Sequence, residues 1–422
     1  MTALSLGALR TNNKEEKNMK KLLTAAAVGA GISMMMAPAV QAEELHFVMC
    51  GGEVREADQK VIDTFLANNP DVTVNMEAVP WGTCQDKTMT LAAAGDPVSL
   101  AYLGSRTLKQ LAKNDLIVPV EISEEEQAKY QPGILNTVSN DGKYWGFPHA
   151  FSTKALFINC ELIEQAGLPC VGPKTWTGLY NMAKAVKDNT GVAGIGLAGK
   201  DFDNTMHQFF SYLYSNGGSV INADTNEITL NSPQTIETLE LYGKLMEVAQ
   251  EGPTAFERSQ IKALFNDGQV AMYIQGPWGR GAHKEGMKTI TVPVPAGPSG
   301  VSGTLLITDS IAVFNGTGHE DIAMELARAL SSDEAQYDLD SSWGLTPILQ
   351  YENGIVDKPY YENDDYWKVF VEPIGSGGPE PMFVDFKSLQ AVINSMIQGM
   401  LLGEDSAENL VAIAAEELEE FK

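Results

Sequence analysis

Basic residues are scarce in this sequence. The 422-residue chain carries 29 Lys plus Arg against 55 Asp plus Glu, a formal net charge of −26. A surface of that sign repels phosphate backbones and anionic lipid headgroups, which argues against nucleic acid and membrane surfaces as partners. Histidine is scarcer: five, at 46, 149, 207, 283 and 319, with no HExxH and no other metal-ligand spacing. The four cysteines include no CxxC pair, so no metal site is expected. No GxxxxGK[ST] phosphate loop and no GxSxG nucleophile elbow occur, and no catalytic residue or cofactor is assigned. One GxGxxG match, Gly194 to Gly199, falls inside a strand-like run with a loop after it, not between a strand and a helix, and reads as accidental. No apolar run makes a comfortable ~20-residue membrane span. What remains is an ordinary globular composition, 44% hydrophobic and 20% charged, which excludes disorder and collagen-like repeats. The length suits roughly two or three domains.

Residues 1–18 are polar. From Met19 to Ala42 the chain reads MKKLLTAAAVGAGISMMMAPAVQA, with a basic start at Lys20 and Lys21, an apolar stretch from Leu22 to Met36 and a break at Pro38. Small residues then lead to a cut after Ala42, the pattern of a secretory signal peptide with Met19 as initiator. Cys50 lies too far beyond that cut for a lipid-modified N-terminus. The expectation is a protein free in an oxidising compartment, a bacterial periplasm. Removing residues 1–42 takes away five basic and two acidic side chains and moves the net charge from −26 to −29. Cys50, Cys84, Cys160 and Cys170 all lie in the exported part, which suits disulfides. Three pairings are open, and spacing favours 50–84 and 160–170.

Strand and helix patterns then alternate. Leu45–Cys50 is a short apolar run, 57–67 has helical periodicity, and 72–79 alternates as a strand. A helix over 87–94 stops at Gly95, and 98–103 is the next strand. Helices are predicted over 176–187, 204–214, 319–330, 386–402 and 406–421, and over 233–250 with Ser232 as N-cap and Pro233 at the first helical position. Strands are predicted over 192–198, 270–274 and 305–314. The alternation predicts an α/β fold with parallel sheets and helices on their faces.

A series of short motifs runs along the exported part. They are FLANNPDVTV (65–74), AAAGDP (92–97), LAKNDLIVPV (111–120) and DGKYWGFP (141–148), then LFINCELIEQAGL and PKTW. FNDGQVAM (265–272), IQGPW ending at Trp278, PVPAGPSG (293–300) and WGLTP (343–347) complete the series. In this order they resemble the extracellular solute-binding proteins of carbohydrate ABC importers, the family that includes maltose-binding and trehalose/maltose-binding proteins. One departure follows Pro97, where relatives usually carry Asp and this chain has Val98 and Ser99.

The resemblance implies a type II periplasmic binding protein: two α/β lobes, three crossing segments and a ligand cleft between the lobes. The crossings are expected near 150–153, 303–309 and 343–347. Lobe one would then comprise 43–150 plus 306–342, and lobe two 151–305 plus 343–422. The implied partners are a small-molecule carbohydrate and a membrane ABC permease, with the protein itself a monomer. The carbohydrate is a mono- or oligosaccharide, with an α-glucoside disaccharide preferred because several aromatics are available to stack more than one ring.

A sugar offers a C–H ring face to aromatic side chains and a fringe of hydroxyls to paired hydrogen-bonding groups. Trp278, in a Gly-Pro-Trp-Gly turn after a strand, matches a sugar-stacking tryptophan of maltose-binding-like relatives; the alternative is a core tryptophan. Gly52 and Glu53 follow the first strand, where relatives hold polar ligand contacts, and a solvated turn is the competing reading. Ser105 and Arg106 end the third strand in the same way, and Arg106 can fork onto vicinal hydroxyls. His149 and Ser152 lie in the first crossing and Trp343 in the third. His207 aligns with a ligand-contacting aromatic, and Trp81 follows the second strand at the cleft mouth. Each has a bland alternative: a surface ion pair for Arg106, a structural histidine for His207, hinge packing for Trp343. Two other functions compete: a secreted carbohydrate-active enzyme, and the same fold binding a phosphorylated polyol or an amine. Only five arginines remain in the exported chain, which weighs against a phosphate ligand.

Overall fold

The computed structural model describes residues 43–95, 98–222 and 225–421, so the signal-peptide reading lies outside the described residues. The first strand, β1 (Glu43–Cys50), alternates in burial and is then fully buried from Phe47 onward. Such a run belongs at a sheet centre, and β1 pairs in parallel with both β2 (Val72–Val79) and β3 (Leu100–Gly104). Helix α1 (Glu56–Asn68) joins β1 to β2, and α2 (Trp81–Ala94) joins β2 to β3. Gly95 ends α2 at φ +77°, in the left-handed region that glycine enters without strain. The tryptophan-led first turn of α2 extends it well before residue 87, where apolar periodicity first shows.

The chain leaves this sheet through β4 (Phe147–Ser152) and continues into β5 (Ala155–Asn159), which pairs antiparallel with β6 (Met272–Gln275) and β7 (Thr289–Pro293) in a second sheet. It returns through β8 (Leu305–Val313), antiparallel to both β3 and β4, and β9 (Gly378–Pro379) pairs with the start of β8. Among the described residues the first sheet thus has the order β9-β8-β3-β1-β2, with β4 also on β8. The sheets are therefore mixed or antiparallel, where strand–helix alternation predicts parallel ones. Strands that arrive from the other lobe enter against the local direction. The run 192–198 is not a regular strand; it makes single parallel bridges from Ala193 to Val270 and from Ile195 to Ala249. Its glycines serve packing, not phosphate: a Cβ at Gly194 would stand 2.1 Å from the Ala183 carbonyl oxygen, and one at Gly196 2.3 Å from Ile261.

Each sheet carries its own core. Leu45, Phe47, Tyr102, Phe151, Ile311 and Leu326 belong to the first, and Leu156, Ile158, Phe209, Tyr242, Leu389 and Ile397 to the second. Along β5 the side chains alternate, Leu156 and Ile158 into the large second core, Ala155 and Phe157 into a smaller one with Phe265 and Tyr273. Leu345, Ile348, Leu349 and Tyr351, which follow the third crossing, pack in the first core. The disulfides join Cys50 to Cys84 and Cys160 to Cys170, the pairing that spacing favours.

Three threonines tie the passages between the sheets. Thr153 donates its backbone N–H to Thr346 Oγ1 (3.1 Å) and its hydroxyl to the Phe370 carbonyl (2.8 Å). Thr304 bonds both the N–H and the carbonyl of Lys154, at 3.0 and 2.9 Å. These buried contacts satisfy the backbone where no sheet ladder can reach.

Candidate functional site

A cavity of about 190 Å³ opens at the carboxyl ends of β1 and β3, against the amino end of a helix from the second core. That helix, α3 (Asp203–Ser215), is buried nearly all round. Its first turns present Asp203, Asn204 and His207 to the cavity, an i, i+4 pair and its neighbour. The first sheet contributes Gly51, Arg55, Tyr102, Arg106 and, from β8, Asp309. The passage β4–β5 supplies Ser152 and Lys154. Arg258 opens helix α4 (Arg258–Asn266), and three tryptophans, 81, 278 and 343, close the sides.

The charges are interlocked. Arg106, 1% exposed, lies 3.0 Å from Asp203 and 3.4 Å from Glu380, so a group from the first core is paired with two carried by the second. Glu380 also holds His207 Nε2 at 2.5 Å, and Trp81 donates its indole N–H to Asp203 at 3.0 Å. Burial alone would raise both carboxyls. His207 and Arg106 beside Asp203, and Arg106 and His207 beside Glu380, outweigh it and hold both below the usual range. A second chain runs from His149 to Asp58 (2.9 Å) and from Asp58 to Arg55 (3.6 Å). It fixes the Arg55 guanidinium 3.4 Å above the Trp343 ring and 4.5 Å from that of Tyr102. Tyr102 in turn donates to Asp309 at 3.0 Å. Burial pushes the Asp309 carboxyl up to about 6, the nearby Arg106 opposing that rise only in part.

Several polar atoms here have no hydrogen-bond partner among the described residues. Asp203 Oδ1 and Asp309 Oδ1 are buried acceptors, and Arg106 Nε, Arg55 Nε and Arg55 Nη1 are buried donors. Buried polar groups are ordinarily satisfied, so donors and acceptors left together at a cavity point to a ligand that supplies both. Hydroxyl groups do.

Of the residues expected from sequence, Trp81, Arg106, Ser152, His207, Trp278 and Trp343 line the cavity. Gly52 and Glu53 do not; both are exposed in the loop after β1, and Gly51 is the lining residue there. Ser105 is turned away into a bond with Ser310 (2.6 Å). His149 lies beneath the cavity, on Asp58. Sequence reasoning passed over Arg55, Tyr102, Lys154, Asp203, Arg258 and Asp309. A signal existed for Asp203, four residues before His207 on one helical face, and for Lys154 and Asp309, which adjoin or end expected crossings. Nothing local marks Arg55 or Arg258.

A family profile described as bacterial extracellular solute-binding protein matches residues 51–337. A binding protein of Brucella abortus (strain 2308) is 25% identical over 397 residues, 92% of this chain and 95% of its own length. The arabinooligosaccharide-binding protein of Halalkalibacterium halodurans is 26% identical over 281 residues, 63% of this chain and 59% of its own. Maltose-bound T. maritima MalE3 superposes with a TM-score of 0.77 at 21% identity, over 90% of this chain and 99% of that one. At that identity the likeness speaks for the two-lobe fold.

Proposed function

The chain belongs to the bacterial extracellular solute-binding protein family, and from that premise we propose that it captures a single-ring-sized saccharide between its two lobes and hands it to an ABC permease. Proteins of this family are binding components of importers and act outside the cytoplasmic membrane. The observation that carries the saccharide reading is the set of buried, unpartnered donors and acceptors on Arg55, Arg106, Asp203 and Asp309, framed by Trp81, Trp278 and Trp343. Charge-assisted bonds to hydroxyls are roughly twice as strong as neutral ones, and indole faces match the C–H face of a sugar ring. The relative that binds arabinooligosaccharides is in keeping with this. The cavity, at about 190 Å³, is smaller than the ~300–1,000 Å³ of drug-sized sites, which favours one ring over the disaccharide that several aromatics suggest.

The finer features belong to the same proposal. The signal peptide is cut near Ala42, the protein works as a monomer, and it releases its ligand unchanged. The lobes divide as 43–150 with 306–342 and 151–305 with 343–422, except that Leu345, Ile348, Leu349 and Tyr351 pack in the core of the first lobe. The crossings sit at Thr153, Thr304 and Thr346.

A thermal-shift screen against a sugar panel tests the reading. A ligand present at about 100 Kd adds roughly 2.7 kcal/mol to stability. No shift with any sugar, with a shift for polyamines or simple phosphates, would remove saccharides as the cargo.

A further inference from the structure

The cavity's charge runs against that of the chain. Beyond residue 42 the sequence holds five arginines, at 55, 106, 258, 280 and 328. Arg55, Arg106 and Arg258 line this one cavity, together with Lys154. Arg55 and Arg106 are neutralised by the carboxylates of Asp58, Asp203 and Glu380. The other two cations are not. Lys154, 2% exposed, donates to Ser152 Oγ at 3.0 Å, and among the described residues no carboxylate lies within ion-pair distance of it. Arg258 likewise has no carboxylate within ion-pair distance among the described residues, Asp203 and Glu257 acting on it from farther away. Both stand by one ring, Lys154 Nζ 4.8 Å and the Arg258 guanidinium 5.7 Å from the Trp278 centroid. Burial, aided by the charge of Arg258 and opposed only in part by Asp309, Glu380 and Asp203, holds the Lys154 ammonium well below the usual lysine range.

Two neighbouring cations with no carboxylate in ion-pair contact are only partly compensated by the more distant Asp203, Asp309, Glu380 and Glu257, and an anion seated on them supplies the missing contact. Resting on the saccharide reading, we propose that the ligand is an acidic sugar whose carboxylate is seated by Lys154 and Arg258 beside Trp278. A single charge fits better than a phosphate dianion. The N-terminus of α4 next to Arg258 is already capped by a side chain of the same sign, Glu257, which accepts from Ser259 N–H at 2.9 Å. Asp203 and Asp309 face the same cavity; each accepts hydroxyls and repels a second negative charge. One carboxylate and several hydroxyls describe a hexuronate or an aldonate.

Titration calorimetry on the purified protein at pH 7 tests this with matched pairs, glucuronate with glucose and galacturonate with galactose, and with glucose 6-phosphate. The expected result is a uronate bound at least tenfold more tightly than its neutral parent, with a margin that shrinks as sodium chloride is raised. Lys154→Met and Arg258→Gln should each lower the uronate-to-hexose affinity ratio roughly tenfold. Arg258 is only half-buried, so its variant keeps the test alive if Lys154→Met does not fold. A neutral hexose bound as tightly as its uronate overturns the acidic assignment and leaves the saccharide reading standing. Tighter binding of glucose 6-phosphate than of any uronate overturns the carboxylate. No binding of any sugar, neutral or acidic, overturns both.

Discussion

Trp278 shows how a single side chain is set for contact. A Cβ at Gly276 would stand 2.4 Å from the indole, so the glycine of IQGPW is what lets the ring fold over its own turn. Trp278→Ala should cost about 2 kcal/mol of ligand binding, roughly thirtyfold in Kd, read by titration with the best sugar of the panel. An unchanged Kd would take Trp278 out of the site. The tryptophans were legible in the sequence because a large ring in a Gly-Pro turn or beside a crossing has few other reasons to be there. The charged residues were not. A sequence displays Arg55 or Arg258 but not which carboxylate neutralises it, and that pairing separates a structural cation from one free for a ligand. Glu53 illustrates the reverse case, since its loop reaches the cavity only through Gly51 and Glu53 itself is exposed.

At the scale of elements, the helix Asp333–Trp343 carries both a cavity residue and a buried acid. Its Asp340 accepts from the Ile348 N–H (2.9 Å), the Tyr351 hydroxyl (2.8 Å) and Gln336 (3.0 Å). Burial nonetheless pushes its carboxyl up to about 7. The unfolded carboxyl titrates near 3.9, so the folded state holds the extra proton between these values. The stability this group contributes is complete below about pH 4 and is lost as pH rises to about 7, by at most roughly 4 kcal/mol. The melting temperature should therefore fall as pH rises across that window, and Asp340→Asn should flatten the slope. A variant with the wild-type slope would show that another group sets it. Elements with strong periodicity, such as 233–246 with its Ser232 cap, were readable from sequence. The run 192–198 was not, because its glycines are spent on close packing against Ala183 and Ile261. The antiparallel direction of β8 was equally hidden, since direction is decided by the lobe a strand comes from.

For the whole molecule, collinear motifs made the two-lobe fold legible, whereas the contacts that join the lobes were not. Arg106, in the turn after β3, bridges to Asp203 and Glu380, and Thr153, Thr304 and Thr346 line the passages. If the lobes close about those threonines, small-angle scattering should give a smaller radius of gyration with ligand than without, and Arg106→Ala should weaken that compaction. Identical profiles with and without a bound sugar would argue for a rigid receptor. The central claim is stoichiometric capture of a saccharide without chemistry. Titration calorimetry on the purified protein, followed by recovery of the ligand, tests it most directly. The account predicts one sugar bound per chain and recovered intact. Heat that continues at saturation with a cleaved or altered sugar, or no binding across neutral and acidic sugars alike, would contradict it.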